Sequence, residues 1–336
     1  MQALQLDAIN QPVAVRDVPT PTPGPGEILV RLHAAALNHR DVFIQQGKYA
    51  GIKLPCTLGS DGAGEVAAHG PDVPADAPAV GARVLLNPGL RWGDNPRVQA
   101  REFVVLGMPD PGTFAEYIAL PARYVRPLPA HLSFEQGAAL PLAGLTAYRA
   151  AFTRAQVQPG ERVLVTGIGG GVALLAAQLC AARGAEVWVT SGSDEKLARA
   201  QALLGAKGGI NYNAENWVKT LTQQAGGAFD VIIDSAGGTA FGALLDAAAP
   251  GGRIVFFGGT LGSIPDVPPA KVFWKQLSIL GSTMGTEQDF EEMLALVTES
   301  QIVPVVDEVF PLAEGEAALR HLATGAQFGK VVLRIA

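Results

Sequence analysis

Residues 162–182 read RVLVTGIGGGVALLAAQLCAA. An apolar run, Val163-Leu164-Val165, enters a glycine cluster, and a long apolar segment with helical spacing leaves it. Strand, glycine turn and helix in that order make a dinucleotide site. Small residues let the backbone approach a pyrophosphate at the helix N-terminus, where free N–H groups and the helix dipole favour anions. A G-x-G-x-x-G register starting at Gly167 puts Val172 at its third glycine place, whereas G-x-x-G-x-x-A places Gly167, Gly170 and Ala173 in step. Gly167, Gly169, Gly170, Gly171 and Val172 are therefore the candidate cofactor contacts. The plainer alternative is a turn that only packs strand against helix.

On either side of this unit the pattern continues. RVLVTG, EVWVTS, GGINY, FDVIIDSAG and RIVFFGG read as strands. The segments between them, such as DEKLARAQALLGA and NWVKTLTQQAG, read as helices. Continuous apolar strands alternating with helices of 3.6-residue period predict a buried parallel sheet with crossover helices. Residues before this region differ. Short apolar stretches such as EILVRL alternate with proline and glycine punctuation such as PTPTPGPGE, which predicts a β-rich unit. After Gly285, EQDFEEMLALVTES reads as a helix, and the C-terminal GKVVLRIA as a strand able to rejoin the first unit. The expected α/β architecture is a β-rich domain over residues 1–126 and 286–336, interrupted by a doubly wound parallel-sheet domain over residues 127–285. In this reading GGRIVFFGGTLG is the last strand region of that sheet, and the apolar VFWKQLSILGS after it lacks a partner there. An unpaired apolar edge is a liability that two-fold pairing would bury, so a homodimer is expected.

Composition bounds the function. The 336 residues are 48% hydrophobic and 17% charged, enough apolar material for two cores. A net charge of -6 argues against nucleic-acid binding, which needs a basic face. No run of about 18 apolar residues and no signal-peptide pattern is present, so no membrane partner and a cytoplasmic location are expected. Two cysteines, Cys56 and Cys180, are too few for a disulfide framework.

The strand after the glycine helix selects the cofactor. NAD sites usually carry Asp or Glu there to accept from the ribose 2′-OH. Here EVWVTSGSDEK puts Thr190, Ser191, Gly192 and Ser193 at that end, with Asp194 expected to cap the next helix and Lys196 nearby. The missing carboxylate, the hydroxyls of Ser191 and Ser193 and the Lys196 ammonium form a pocket suited to a 2′-phosphate, hence to NADPH. Lys196 also has the simpler reading of a solvated helix lysine.

Across nearly the whole chain, ALNHRDVF, LGSDGAGEV, GTFAEYIALP, LPLAGLTAYRAAF, GIGGGVALLAAQ, FDVIIDSAGG, GGRIVFFGG and FGKVVL resemble the medium-chain dehydrogenase/reductase superfamily. They resemble in particular its zinc-free quinone oxidoreductase-like branch, and also bacterial zinc-type alcohol dehydrogenase-like proteins. The resemblance implies a GroES-like β-rich catalytic domain and a Rossmann domain, with the active site in the cleft between them. In metal-bearing relatives LGSDGAGEV contains a zinc-binding histidine, and here Ser60 stands in its place. Asn38 and Leu142 stand where the two cysteine ligands would be. These side chains make a poor zinc triad, because zinc selects thiolate, imidazole or carboxylate. No catalytic metal is expected, and the glycines of this first cluster become turn residues of the β domain. The lobe at residues 87–112 looks like one that holds a second zinc in relatives, retained without its cysteines. The five histidines, His33, His39, His69, His131 and His321, form no H-E-x-x-H or H-x-H pattern.

Without a Lewis acid, hydrogen-bond donors must stabilise the charge that builds on oxygen during hydride transfer, each contributing roughly 2.7–4 kcal/mol. A quinone or α,β-unsaturated carbonyl spreads that charge by conjugation. The resemblance makes Asn38 and Tyr49 the candidate donors and Asp41 an orienting residue. The plainer alternatives are that Asn38 holds a turn and that Tyr49 is a loop aromatic. His39 matches a residue that touches the cofactor pyrophosphate. Thr146 matches a nicotinamide-side hydroxyl or marks a helix start. Tyr212 matches a residue near the 2′-phosphate, and Gly258 and Gly259 match cofactor contacts. Lys330 either approaches the cofactor or bridges domains. Arg40 replaces the Ser/Thr of an alcohol proton relay. The reading is an NADPH-dependent reductase of a small-molecule quinone or enone. The alternatives are an alcohol or aldehyde dehydrogenase using an unrecognised metal, and an NADPH-binding redox sensor or crystallin-like structural protein with little catalysis.

Overall fold

The computed structural model describes residues 1–335. The chain divides into two compact units. One is Met1–Leu142 with Thr286–Leu294 and Val303–Ala336, and the other is Ala143–Gly285 with Ala295–Ile302.

The first unit is built on the strand Glu27–Ala36, which pairs antiparallel with Asp61–His69, Tyr117–Pro121 and Lys330–Arg334. Its alternation buries Ile28, Val30 and Leu32 in one core with Leu86, Leu106 and Tyr124. A second core gathers Leu4, Leu37, Ile44, Leu58, Phe114 and Leu333. The C-terminal strand does rejoin this unit. Lys330–Arg334 lies between Glu27–Ala36 and the parallel strand Val306–Pro311.

Residues 127–142 also belong to the first unit, beyond the 126 expected as its first boundary. Ser133 and Gln136 form a reciprocal cap on the short helix Phe134–Ala138, with bonds of 3.2 and 2.9 Å. This helix packs on the strands Glu27–Ala36 and Asp61–His69. Arg334 of the C-terminal strand donates to Glu135 at 3.0 Å.

The glycines of LGSDGAGEV are not all turn residues. Only Gly59 needs a left-handed backbone, at φ 98°. Gly62 and Gly64 lie inside the strand Asp61–His69. A Cβ on Gly62 would come within 2.9 Å of Leu32, and one on Gly64 would strike the Arg31 carbonyl. They allow two strands to approach closely beside a register shift between Leu32 and Ala34.

The second unit carries a six-stranded sheet, parallel throughout, in the spatial order Gly208–Asn211, Glu186–Ser191, Arg162–Val165, Phe229–Asp234, Ala248–Phe256, Ser278–Gly281. The chain winds outward one way from Arg162–Val165, then crosses back to Phe229–Asp234. The loops after these two strands therefore diverge, which is where doubly wound sheets hold their ligands. The helix Gly171–Ala182 buries Ala173 through Ala177, Leu179 and Cys180. The helix Asp194–Leu204 buries Leu197, Ala200 and Leu204 on one stripe and ends at Gly205, φ 68°.

The expected end of this sheet is corrected. VFWKQLSILGS is not partnerless: it splits into a helix, Pro269–Lys275, and a sixth strand, Ser278–Gly281, in parallel register with Arg253–Phe256. The sixth strand forms the sheet edge, and Phe273 and Trp274 on the helix before it are exposed. Among the described residues, no helix is long and apolar enough to cross a membrane.

Candidate active site

In the first unit the backbone brings three distant polar residues together. Asn38 follows the strand Glu27–Ala36 as N-cap of the helix His39–Gln45. Leu37 N–H donates to the Val331 carbonyl at 2.9 Å, which lays Lys330 beside Asn38. Lys330 Nζ donates to Asn38 Oδ1 at 2.6 Å and to Asp61 Oδ2 at 2.9 Å. Asn38 Nδ2 donates to the same Asp61 oxygen at 2.9 Å. The other Asp61 oxygen accepts from Leu142 N–H at 2.7 Å. Asp61 is fully buried and Lys330 only 5% exposed, so two opposite charges sit out of water, each held by the other.

Around this cluster, Arg40 Nη1 donates to Ser60 Oγ at 2.7 Å and to the Leu106 carbonyl at 2.6 Å. Its guanidinium lies 5.1 Å from the ring centre of Tyr49, which is 36% exposed. Ser60 Oγ itself donates to Leu106 O at 2.8 Å. Asp41 reaches back from the first turn of the helix and accepts from Asn38 N–H at 2.9 Å. Its second oxygen is buried with no hydrogen-bond partner. Burial raises the Asp41 carboxyl to about 6 against the opposing charges of Arg40 and Lys330. His39 presents an exposed surface at the helix start. Crowding of its ring, and then the Lys330 charge, still lower its pKa below the ordinary value.

The three places where metal-bearing relatives hold zinc do not fit that ion. Asn38 already faces a buried ammonium, Ser60 faces a guanidinium, and Leu142 has an apolar side chain and donates its backbone N–H to Asp61. A cation placed there would meet two positive charges and no thiolate or imidazole. Elsewhere in this unit, His321 Nε2 lies 2.9 Å from Asp307 and 3.7 Å from Glu308 in a partly exposed cluster. Cys56 and Cys180 are buried free thiols. Burial and then the Asp41 charge raise the Cys56 thiol, and burial pushes Cys180 up to about 12.

The second unit fits a dinucleotide. Gly167 and Gly169 take φ values of 64° and 141°. Gly170 is the N-cap of the helix Gly171–Ala182, with no side chain capping it and open space where its Cβ would be. The first N–H groups of that helix, at Gly171 and Val172, are thus left for an anion. Beside the turn, a Cβ on Gly169 would lie 3.3 Å from Lys196 Nζ, so the ammonium lies over the glycine loop. The helix carrying it is capped by Ser193, which accepts from Lys196 N–H at 3.3 Å. Asp194, expected as that cap, is instead the first helical residue and accepts from Asn211 Nδ2 at 3.0 Å. Ser191 is buried, and its hydroxyl contacts Ile168 O at 3.4 Å and Ser193 N at 3.2 Å. The Tyr212 phenol covers Gly192, where a Cβ would come within 2.7 Å of its oxygen. A carboxylate side chain at that place would displace it. Gly258 packs against the Ser235 carbonyl, and Gly259 faces Gly262. Thr146 is interior to the helix Pro141–Tyr148, which excludes the helix-start role, and its hydroxyl lies 3.9 Å from the Met284 sulfur.

Sequence reasoning missed the pairing of Asp61 with Lys330 and the Thr166–Asp234 pair. Thr166 donates to Asp234 Oδ1 at 2.6 Å, and Asp234 Oδ2 accepts from the backbone N–H groups of Ala236 and Gly237. This fixes the turn at the end of Phe229–Asp234. The only signal for either was an acid beside a glycine cluster, which has no partner within reach along the chain.

A β-rich unit with this polar cluster and a parallel sheet with a glycine turn at its reversal define a nicotinamide-dependent oxidoreductase of two-unit architecture. The chain belongs to the medium-chain dehydrogenase/reductase superfamily. Residues 24–130 match the alcohol dehydrogenase GroES-like domain family, and residues 171–299 match the zinc-binding dehydrogenase family. The chain is 37% identical to a zinc-type alcohol dehydrogenase-like protein, YogA, of Leptosphaeria maculans, over 97% of this chain and 96% of that one. It is 28% identical to the quinone oxidoreductase of Homo sapiens, over 99% and 97%. A crystal structure described as an NAD-dependent alcohol dehydrogenase superposes with a TM-score of 0.94 at 40% identity, covering 100% of both chains.

The Asp41 pKa sets a pH dependence. Its folded value, about 6, lies above the ordinary carboxyl value of 3.8, so protonation favours the folded state and this contribution is lost as pH rises through about 6. Asp41→Asn removes it. The stability of the variant relative to wild type should increase from pH 5 to pH 8, by about 1.4 kcal/mol. Urea unfolding at the two pH values measures this, and a pH-independent difference would refute the raised pKa.

Proposed function

We propose that this protein is an NADPH-dependent reductase that delivers hydride to a quinone or an α,β-unsaturated carbonyl without catalytic zinc, working as a cytoplasmic homodimer. The observation that carries this reading is the filling of the metal place: Lys330, Asp61 and Asn38 on one side, Arg40 and Ser60 on the other. A nicotinamide, when bound, supplies the hydride. What the chain must add is a cradle for the dinucleotide and donors for the oxygen that becomes negative.

Asn38 is the leading donor. One Nδ2 proton is engaged by Asp61 and the second has no acceptor among the described residues. Tyr49 offers a hydroxyl as the second donor, its ring held against the Arg40 guanidinium. Two neutral donors in place of a divalent cation suit an acceptor that delocalises its charge and disfavour a simple ketone. Asp41 orients Asn38 through its backbone N–H. His39 would meet the pyrophosphate as a hydrogen-bond donor. Gly167, Gly169, Gly170, Gly171 and Val172 form the cradle, with Gly258 and Gly259 shaping the neighbouring loop and Thr146 on the nicotinamide side. Lys196, Ser193 and Tyr212 would surround the 2′-phosphate, with Ser191 behind them holding the turn.

Turnover of NADPH against a panel of quinones, enones and simple alcohols and aldehydes tests the assignment. Reduction of quinones or enones by metal-free protein is expected, with Asn38→Ala lowering kcat by about 10²-fold. Zinc-dependent oxidation of simple alcohols, with Asn38→Ala inactive only through metal loss, would overturn it.

Cofactor choice is tested separately. NADPH should bind more tightly than NADH. Lys196→Ala should weaken NADPH by roughly 10–150-fold, corresponding to about 1.5–3 kcal/mol for one charge-assisted hydrogen bond. NADH binding should hardly change. Equal weakening of both cofactors would make Lys196 a structural lysine.

The dimer rests on the edge strand Ser278–Gly281, which has a neighbour on one side only, and on the exposed Phe273 and Trp274 beside it. Light scattering at micromolar concentration should give twice the 34.9 kDa chain mass, and a monomer would remove this part of the proposal.

A further inference from the structure

We infer that Lys330 is a positioning residue that fixes the Asn38 amide, so that one Nδ2 proton is always presented to the reacting oxygen. The inference rests on the reading of Asn38 as the donor, and it gives Lys330 a role other than holding the cofactor. An asparagine amide rotates about a broad, two-fold terminal torsion, and its oxygen and nitrogen ends have nearly the same shape. Left to itself, Asn38 would present oxygen as readily as N–H, and an oxygen would repel the charge it is meant to stabilise.

Lys330 removes that choice. An ammonium has donors only, so the amide atom 2.6 Å from Nζ must be the oxygen. Asp61 sets the other end. Its carboxylate accepts only, and it already takes the Lys330 ammonium and the Leu142 N–H, so the amide atom 2.9 Å away must be the nitrogen. Nζ, Oδ1, Nδ2 and Asp61 Oδ2 close a ring on one edge of the amide. The second Nδ2 proton lies outside that ring. The flipped amide would set its NH₂ against the ammonium and its oxygen against the carboxylate, two buried like-for-like contacts at once. Burial of Asn38, Asp61 and Lys330 leaves no water to relieve them.

The competing role, a cofactor phosphate contact, predicts different kinetics. The experiment compares Lys330→Gln, Lys330→Met and Asn38→Ala, each alone, and Lys330→Met with Asn38→Ala. Readouts are kcat at saturating cofactor and enone, NADPH Kd by fluorescence, and thermal melting to confirm folding. Glutamine keeps a donor for Asn38 Oδ1 and Asp61 but no charge. Lys330→Gln should therefore retain kcat within about threefold and NADPH Kd within about twofold. Lys330→Met should lower kcat by about 10-fold or more with NADPH Kd nearly unchanged, and adding Asn38→Ala to it should lower kcat no further than Asn38→Ala alone. If Lys330→Met does not fold, Lys330→Gln decides alone. A tenfold or larger rise in its NADPH Kd with kcat intact would make Lys330 a cofactor ligand. Loss of its kcat would show that the charge itself is required. Either result overturns the inference, as would multiplicative effects in the double variant. If Asn38→Ala lowers kcat and the Lys330 variants do not, only the positioning role fails. If Asn38→Ala leaves kcat unchanged, the donor assignment fails with it.

Discussion

The first unit depends on one ion pair. Asp61 lies in a strand buried on both sides, and a lone carboxylate there would be expelled or protonated. Lys330, from the other end of the chain, compensates it at 2.9 Å. Two charges taken from water seldom gain much net stability, but removing one partner of such a pair costs about 3–5 kcal/mol. Its main effect is thus a constraint: the C-terminal strand must align so that Lys330 meets Asp61, and a slip of one residue would turn Lys330 to the other face. The strand register, the Asn38 amide and the loop at Leu142 are all fixed by the same carboxylate.

That constraint bears on how far relatives' names carry. The relatives include proteins described as zinc-type alcohol dehydrogenase-like, alcohol dehydrogenase and quinone oxidoreductase, and they share the architecture. Fold alone does not choose among those chemistries. In this chain an ammonium faces Asn38 and a guanidinium faces Ser60, and the ammonium could not leave without stranding the buried Asp61 carboxylate.

Much of this was legible in the sequence because it is local. Continuous apolar strands such as VLV and VIID announced the parallel sheet, and the cluster from Gly167 to Gly171 announced its ligand turn. The C-terminal GKVVLR announced a strand able to rejoin the first unit, where the structure pairs it with Glu27–Ala36. What could not be read was non-local or ambiguous in period. Ser278–Gly281 is four residues long and only half-buried, and it follows an apolar helix without a break in hydrophobicity, so helix and strand merged into one run. Gly62 and Gly64 look like turn residues, because nothing near them in sequence reveals the Arg31 backbone and the Leu32 side chain that press on them. Asp61 and Lys330 are 269 positions apart, and no local pattern links them. The resemblance supplied Asn38, Ser60 and Leu142 as a vacated metal site, while what fills it came only from the structure.

The order in which the chain leaves the ribosome adds a kinetic consequence. The second unit is nearly contiguous, Ala143–Gly285 with one later segment, and all six strands of its sheet are available well before translation ends. The first unit waits for its last strand. Until Lys330–Arg334 emerges, Ala34–Ala36 has an unpaired edge and Asp61 has no counter-charge. Nascent chains of this protein therefore hold a half-built sheet open throughout the synthesis of the other domain, the interval in which an unpaired edge most readily finds the wrong partner. Chaperone binding during translation would matter most for this first half, although it is made first.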